Sequence, residues 1–86
     1  MKQFNYTIND ELGIHARPAG LLAKLAKDYG DTVVTITKDG NTIQASQLMK
    51  LMALGVKKGN EVTGAAEGPA EDEAIAALQK FFQENL

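Results

Sequence analysis

Residues 32–45 read TVVTITKDGNTIQA. The first seven, Thr32 to Lys38, are β-branched up to the lysine and partly alternate, which predicts a strand over 32–38. Asp39-Gly40 is a two-residue hairpin signal, because glycine tolerates the positive φ that a type I′ turn demands. Residues 41–45 then return as the partner strand. The rest of the chain arranges itself around this hairpin.

Upstream, Gly30-Asp31 ends a helix. Leu22, Leu25, Ala26 and Tyr29 recur at helical spacing, with Lys24, Lys27 and Asp28 on the other face. Pro18 fits the first turn, where its missing N–H costs nothing, so the helix starts at about residue 16. Before it, Asp10 to Gly13 is a turn. Phe4, Tyr6 and Ile8 alternate with Asn5, Thr7 and Asn9, a period of two that predicts a half-buried strand over 2–9.

Downstream, residues 46–55 (SQLMKLMALG) predict a short helix that Ser46 caps at its start. Gly55 closes it in a left-handed conformation, with Val56 as the hydrophobic contact that follows. After the Lys57–Asn60 turn, residues 61–67 make a fourth strand, weakened at Gly64. Pro69 opens a last helix whose first turn carries Glu71, Asp72 and Glu73, favourable at the positive end of its dipole. Its apolar stripe is Ile75, Leu78 and Phe82, flanked by Ala74 and Phe81. The order β-α-β-β-α-β-α predicts an α+β fold. This is an open-faced β-sandwich, a four-stranded antiparallel sheet with three helices on one face. The chain, residues 1–86, is expected to be one domain.

Composition narrows the function. Nine basic and eleven acidic residues give a net charge of −2, which argues against nucleic acid as the main ligand. With no cysteine, neither disulfides nor thiolate metal sites are available, as is common in the cytoplasm. No apolar run is long enough to span a membrane, and the first residues lack a signal core, so no membrane insertion is expected.

The single histidine, His15, lies in LGIHARPAG, residues 12–20, immediately before a helix. The first N–H groups of a helix lack partners and carry its positive end, so this is an anion site in waiting. Pro18 removes one donor, whereas Ala16, Arg17 and Ala19 keep theirs. Arg17 adds a guanidinium suited to phosphate oxygens. Gly13 lets the loop approach the helix end, and Ala16 and Gly20 are small enough to keep the approach open. A helix N-terminus disfavours imidazolium and so favours a neutral, nucleophilic ring. Were that ring to take a phosphoryl group, the same N–H groups and Arg17 would stabilise the product. On spacing alone, a histidine in this position reads more readily as a plain N-cap or loop residue. Gly20 alone reads as a tolerated weak spot in the helix, costing about 0.5–1 kcal/mol against alanine. No metal site is expected, because no second histidine and no cysteine could join His15.

Gly13-Ile14-His15-Ala16-Arg17-Pro18-Ala19 resembles the active-site signature of HPr, the histidine-containing phosphocarrier family of the bacterial sugar phosphotransferase system. The resemblance extends over the whole chain: its length, its order of elements, the Asp39-Gly40 hairpin, Leu54-Gly55-Val56-Lys57-Lys58-Gly59 and the acidic start of the last helix. It implies that enzyme I, charged by phosphoenolpyruvate, passes a phosphoryl group to Nδ1 of His15, and that His15 passes it to the IIA domain of a sugar permease. His15 and Arg17 would be the catalytic pair, with Ala16, Arg17 and Pro18 around the phosphate. The protein would be a cytoplasmic, monomeric phosphotransferase component with a phosphohistidine intermediate, not a stand-alone enzyme, and would need no cofactor. A carrier must not hydrolyse its own phosphohistidine, and the signature itself contains no carboxylate that could activate water, although Asp10 and Glu11 are close in sequence.

By the same resemblance the partner surface comprises Gly20, Lys24 and Lys27 on the first helix and Leu48, Met49, Lys50 and Met52 on the short one. So small a helix cannot bury Leu48, Met49, Leu51, Met52 and Leu54 together, so some are exposed; Met49 and Met52 individually read as either core or surface. Lys24 and Lys27 alone read as a solvated face, or as steering for acidic partners.

Many Gram-positive relatives carry a second, regulatory site, a serine at the start of the short helix. Counting back from Leu54-Gly55, that position falls on Gln47, and Ser46 falls where relatives have lysine, because one extra residue sits near Gly30–Thr32. No regulatory serine is therefore expected. A regulatory or nitrogen-related phosphorelay member of the family, acting by protein–protein binding, is the alternative reading. Regulatory relatives tend to lose the histidine and keep the serine, the reverse of the pattern here.

Overall fold

The computed structural model describes residues 1–86. The elements are β1 (Lys2–Thr7), α1 (Ala16–Lys27), β2 (Val33–Lys38), β3 (Asn41–Gln44), α2 (Leu48–Ala53), β4 (Glu61–Glu67) and α3 (Glu71–Asn85). The sheet runs β1-β4-β2-β3 with every neighbouring pair antiparallel. Asp39 (φ 52°) and Gly40 (φ 82°) both have positive φ, as a type I′ turn requires, and Lys38 pairs with Asn41 across it.

Register separates the two faces. Gly64 stands opposite Phe4 on one side and Ile36 on the other, so Phe4, Tyr6, Val34, Ile36, Ile43, Val62 and Ala66 share one face. That face packs with Leu22, Leu51, Leu78 and Phe82 from the helices into one core. The opposite face carries Asn5, Thr35, Thr37, Thr42 and Thr63, joined in part by the Thr37–Thr42 hydroxyl contact at 2.7 Å and the Thr63–Asn5 hydrogen bond at 2.7 Å. Phe82 sits at the centre of an edge-to-face set, with ring centroids 5.5 Å from Phe4, 5.4 Å from Tyr6 and 6.4 Å from Phe81. Gly64 has a structural cause here: a Cβ there would lie 2.8 Å from a Leu78 methyl and 2.9 Å from the Phe4 ring.

Four local expectations are corrected. Ser46 does not cap α2. Gln47 is the N-cap, and the 44–47 turn, closed by the Gln47 N–H to the Gln44 oxygen at 3.1 Å, leaves Ser46 one residue too early. Pro69 does not open α3, which begins at Glu71. Gly68 (φ 145°) turns the chain, and Ala70 gives its N–H to the Thr32 hydroxyl at 2.8 Å, staying outside the helix as its N-cap. The last helix centres its buried stripe on Ala74, Leu78, Phe81 and Phe82, with Ile75 only partly buried. The first strand ends at Thr7, because Asn9 and Asp10 turn away to give their N–H groups to the Leu86 oxygen.

Candidate functional site

His15 is the residue from which α1 starts. Its backbone is extended (φ −111°, ψ −172°), and its carbonyl accepts the Ala19 N–H at 2.9 Å, the first bond of the helix. The imidazole makes no capping hydrogen bond, so the ring is not committed to the helix end. Ala19, expected to keep its donor, has therefore spent it. The N–H groups of Ala16 and Arg17 have no partner in the chain, and Pro18 has none to offer. Two unpaired donors at the positive end of a twelve-residue helix favour an anion. Arg17 is exposed and forms none of the molecule's ion pairs.

His15, Arg17 and Pro18 line an open cleft of about 240 Å³ together with Asp10, Leu21, Glu84 and Asn85. Asp10 is the best-fixed of these. Its N–H donates to the Leu86 oxygen at 2.7 Å, its carbonyl accepts the Gly13 N–H at 3.1 Å, and its Oδ2 accepts the Leu12 N–H at 3.0 Å. The same Oδ2 lies 3.9 Å from His15 Nε2. The seven-residue signature holds no carboxylate, but the folded site does.

Gly13 acts elsewhere than expected. It does not draw the loop to the helix end; it lets the loop lie against the chain leaving α2. With φ 65°, its Cβ position would be 2.7 Å from the Lys57 Cα and would overlap the Val56 oxygen. The loop that holds His15 is thereby fastened to the end of the short helix. On α2 only Leu51 is buried; Leu48 (39% exposed), Met49 (77%) and Met52 (41%) face solvent. Leu12 and Leu21 are also exposed apolar side chains beside the site. Gly20 is partly buried, and a methyl added there would find no neighbour within 4 Å.

None of the remaining sequence-derived residues lines this cleft. Lys24 is exposed in the last turn of α1. Lys27 lines a second crevice with Ser46 between the end of α1 and the start of β2. Lys50 lines a third with Asn41, Ile43, Ala53 and Leu54. Leu21, Glu84 and Asn85 escaped the sequence reading. Asp10 was visible as a near neighbour, but no spacing rule states how a turn closes. Glu84 and Asn85 arrive because α3 packs on α1 and β1, a contact between the two ends of the chain. No three His, Asp or Glu side chains gather as metal ligands, and no helix is long and apolar enough to cross a membrane.

Comparison with known proteins agrees along the whole length. The family model "PTS HPr component phosphorylation site" matches residues 2–84. The Mycoplasma genitalium phosphocarrier protein HPr is 34% identical over 85 residues, 99% of this chain and 97% of that one. The Mycoplasma capricolum phosphocarrier protein HPr is 38% identical over 82 residues, 93% of this chain and 89% of that one. The crystal structure of HPr from Thermoanaerobacter tengcongensis superposes with a TM-score of 0.91 at 37% identity, covering 98% of this chain and 93% of that one. A dimer of HPr from that organism matches at 0.76 and 37% identity, over 98% and 95% of the two chains. The chain belongs to the HPr family, the histidine-containing phosphocarriers of the phosphotransferase system.

Proposed function

We propose that His15 is the covalent phosphoryl acceptor, loaded by phospho-enzyme I and unloaded by the IIA domains of sugar permeases. The observation that carries this is the pairing of an uncommitted imidazole with unpaired Ala16 and Arg17 N–H groups at one helix start. Arg17 holds the phosphate oxygens and balances the charge that moves through the transition state. Pro18 bounds the site without competing for it. Nδ1 is the receiving nitrogen, as in the family.

Partners dock on the surface around the cleft: Gly20, Lys24 and Lys27 of α1, and Leu48, Met49, Lys50 and Met52 of α2. Exposed methionines suit a surface that meets several partners. The protein works in the cytoplasm as a monomer. Gln47, at the start of α2, offers no hydroxyl to a regulatory kinase, and Ser46 is not one of its substrates.

The test is incubation with enzyme I and phosphoenolpyruvate. The protein should acquire an acid-labile, alkali-stable phosphate that His15→Ala abolishes; a labelled mutant would move the site elsewhere. Arg17→Ala should keep the fold and slow transfer. A phosphoprotein that delivers to no sugar IIA domain but does deliver to a regulatory partner would place the chain in the regulatory or nitrogen-related branch.

A further inference from the structure

We infer that Asp10 is a positioning residue for His15: its carboxylate holds the ring with Nε2–H turned toward Asp10 and so leaves the Nδ1 lone pair as the nucleophile. The inference rests on the reading of His15 as the phosphoryl acceptor and adds the residue that decides which nitrogen reacts. Asp10 is pinned three ways, by its N–H to Leu86, its carbonyl to Gly13 and its Oδ2 to Leu12. The first two fix its backbone and the Leu12 N–H holds the carboxylate itself beside the ring; the nitrogen it faces, at 3.9 Å, is Nε2. That distance is an ion-pair separation rather than a hydrogen bond; reaching hydrogen-bond length takes a movement of roughly 1 Å between ring and carboxylate. Catalytic contacts in unloaded sites are often this loose.

The chemistry follows from the facing. A histidine's ring nitrogens are distinct, and the partner of one sets the tautomer that frees the other. With the proton on Nε2, the Nδ1 lone pair forms a bond to phosphorus while the donor's bond to phosphorus breaks, its electron pair returning to the donor. The ring is then an N-phosphorylated cation, and the Asp10 carboxylate balances the charge on Nε2–H. On delivery the phosphorus–Nδ1 bond breaks, its electron pair returns to Nδ1, and the ring is neutral again. The Nε2 proton stays in place throughout both steps. Placed on the Nε2 side, Asp10 supports transfer without facing the nitrogen that carries the phosphoryl group.

The experiment compares wild type, Asp10→Asn and Asp10→Ala. Asp10→Asn retains an oxygen for the Leu12 N–H and so preserves the loop. Long-range proton–nitrogen NMR of labelled protein reads the ratio of Nε2–H to Nδ1–H tautomers of the neutral ring. The ratio should fall about threefold in Asp10→Ala, the scale of one half-exposed charge contact, and less in Asp10→Asn. Transfer from enzyme I and phosphoenolpyruvate should slow roughly three- to tenfold in both, in the same order. An unchanged tautomer ratio, or normal transfer in both variants, overturns the inference. So does a phosphohistidine that merely lives longer in Asp10→Asn, which would make Asp10 a base for water. Failure of the parent reading shows separately, as absence of label on His15 in the wild type.

Discussion

The Ile14 amide donates to the Val56 carbonyl oxygen at 3.1 Å, tying the loop before α1 to the chain that leaves α2. Gly13 makes this possible, through a left-handed φ of 65° and the lack of a side chain against Lys57. Gly13→Ala meets a conformational cost of about 1–2 kcal/mol and a backbone collision besides. Urea unfolding should show a loss of about 2–4 kcal/mol. An unchanged midpoint would show that the tie carries no stability. Transfer to His15 should slow as well, because the histidine rides on the displaced loop.

Gly64 gives the opposite impression from its sequence, where a glycine simply weakens a strand. Its missing side chain is the space that Leu78 and Phe4 occupy. Gly64→Ala therefore overpacks the core and should destabilise by about 1–3 kcal/mol, against the gain normally expected from adding a methyl to a strand. A rise in melting temperature would count against this packing.

Gly20 is the contrasting case. A methyl there meets nothing, so Gly20→Ala should stabilise the protein by about 0.5–1 kcal/mol. With Gly20 in the proposed docking surface, the same variant is expected to deliver phosphate to partners more slowly. Greater stability with unchanged transfer would take Gly20 out of that surface.

The start of α2 lacks a side-chain cap, since Gln47 stands there and caps nothing. Gln47→Asp should supply one and stabilise by about 0.5–1 kcal/mol, while Ser46→Ala should stay within about 0.5 kcal/mol of wild type. Incubation with the pathway's serine kinase and ATP, followed by peptide mapping, should leave Ser46 unmodified; stoichiometric phosphate there would sink the assignment.

Glu71 couples the start of α3 to the residue before β1. The terminal amine of Met1, at 3.3 Å, and then the Gly68 N–H hold its carboxyl below the ordinary glutamate range. A lowered folded pKa means stabilisation that is complete above the unfolded value of about 4.3 and lost as pH falls through the lower folded one. Glu71→Gln should therefore flatten the acid limb of stability against pH and leave the slope near neutrality unchanged. An acid limb identical to wild type would show that the contact carries no net free energy.

Much of this was legible from local pattern. Alternation marked β1, the Asp39-Gly40 turn fixed the β2–β3 register, and helical spacing marked α1 and α3. Each signal depends only on neighbours a few residues apart, which is why it survives without the fold. Helix starts were less legible. Both Ser46 and Pro69 are good starting residues, yet the chain begins α2 and α3 later, because the Gln44–Gln47 turn and the Thr32 hydroxyl claim the backbone first.

The same division holds at the site. A histidine and an arginine at a helix start can be read from neighbouring residues alone, because N–H groups, dipole and side chains there are all set by adjacent residues. So can the inability of α2 to bury all its apolar residues, a matter of surface available on so short a helix. What faces the histidine depends on how the chain folds back on itself. Asp10 reaches Nε2 because Leu86 and Gly13 close its turn, and Glu84 enters the cleft because α3 packs across α1 and β1. The Leu86 and Glu84 contacts join the two ends of the chain. Their geometry comes from sheet order and helix packing, which spacing along a sequence does not encode.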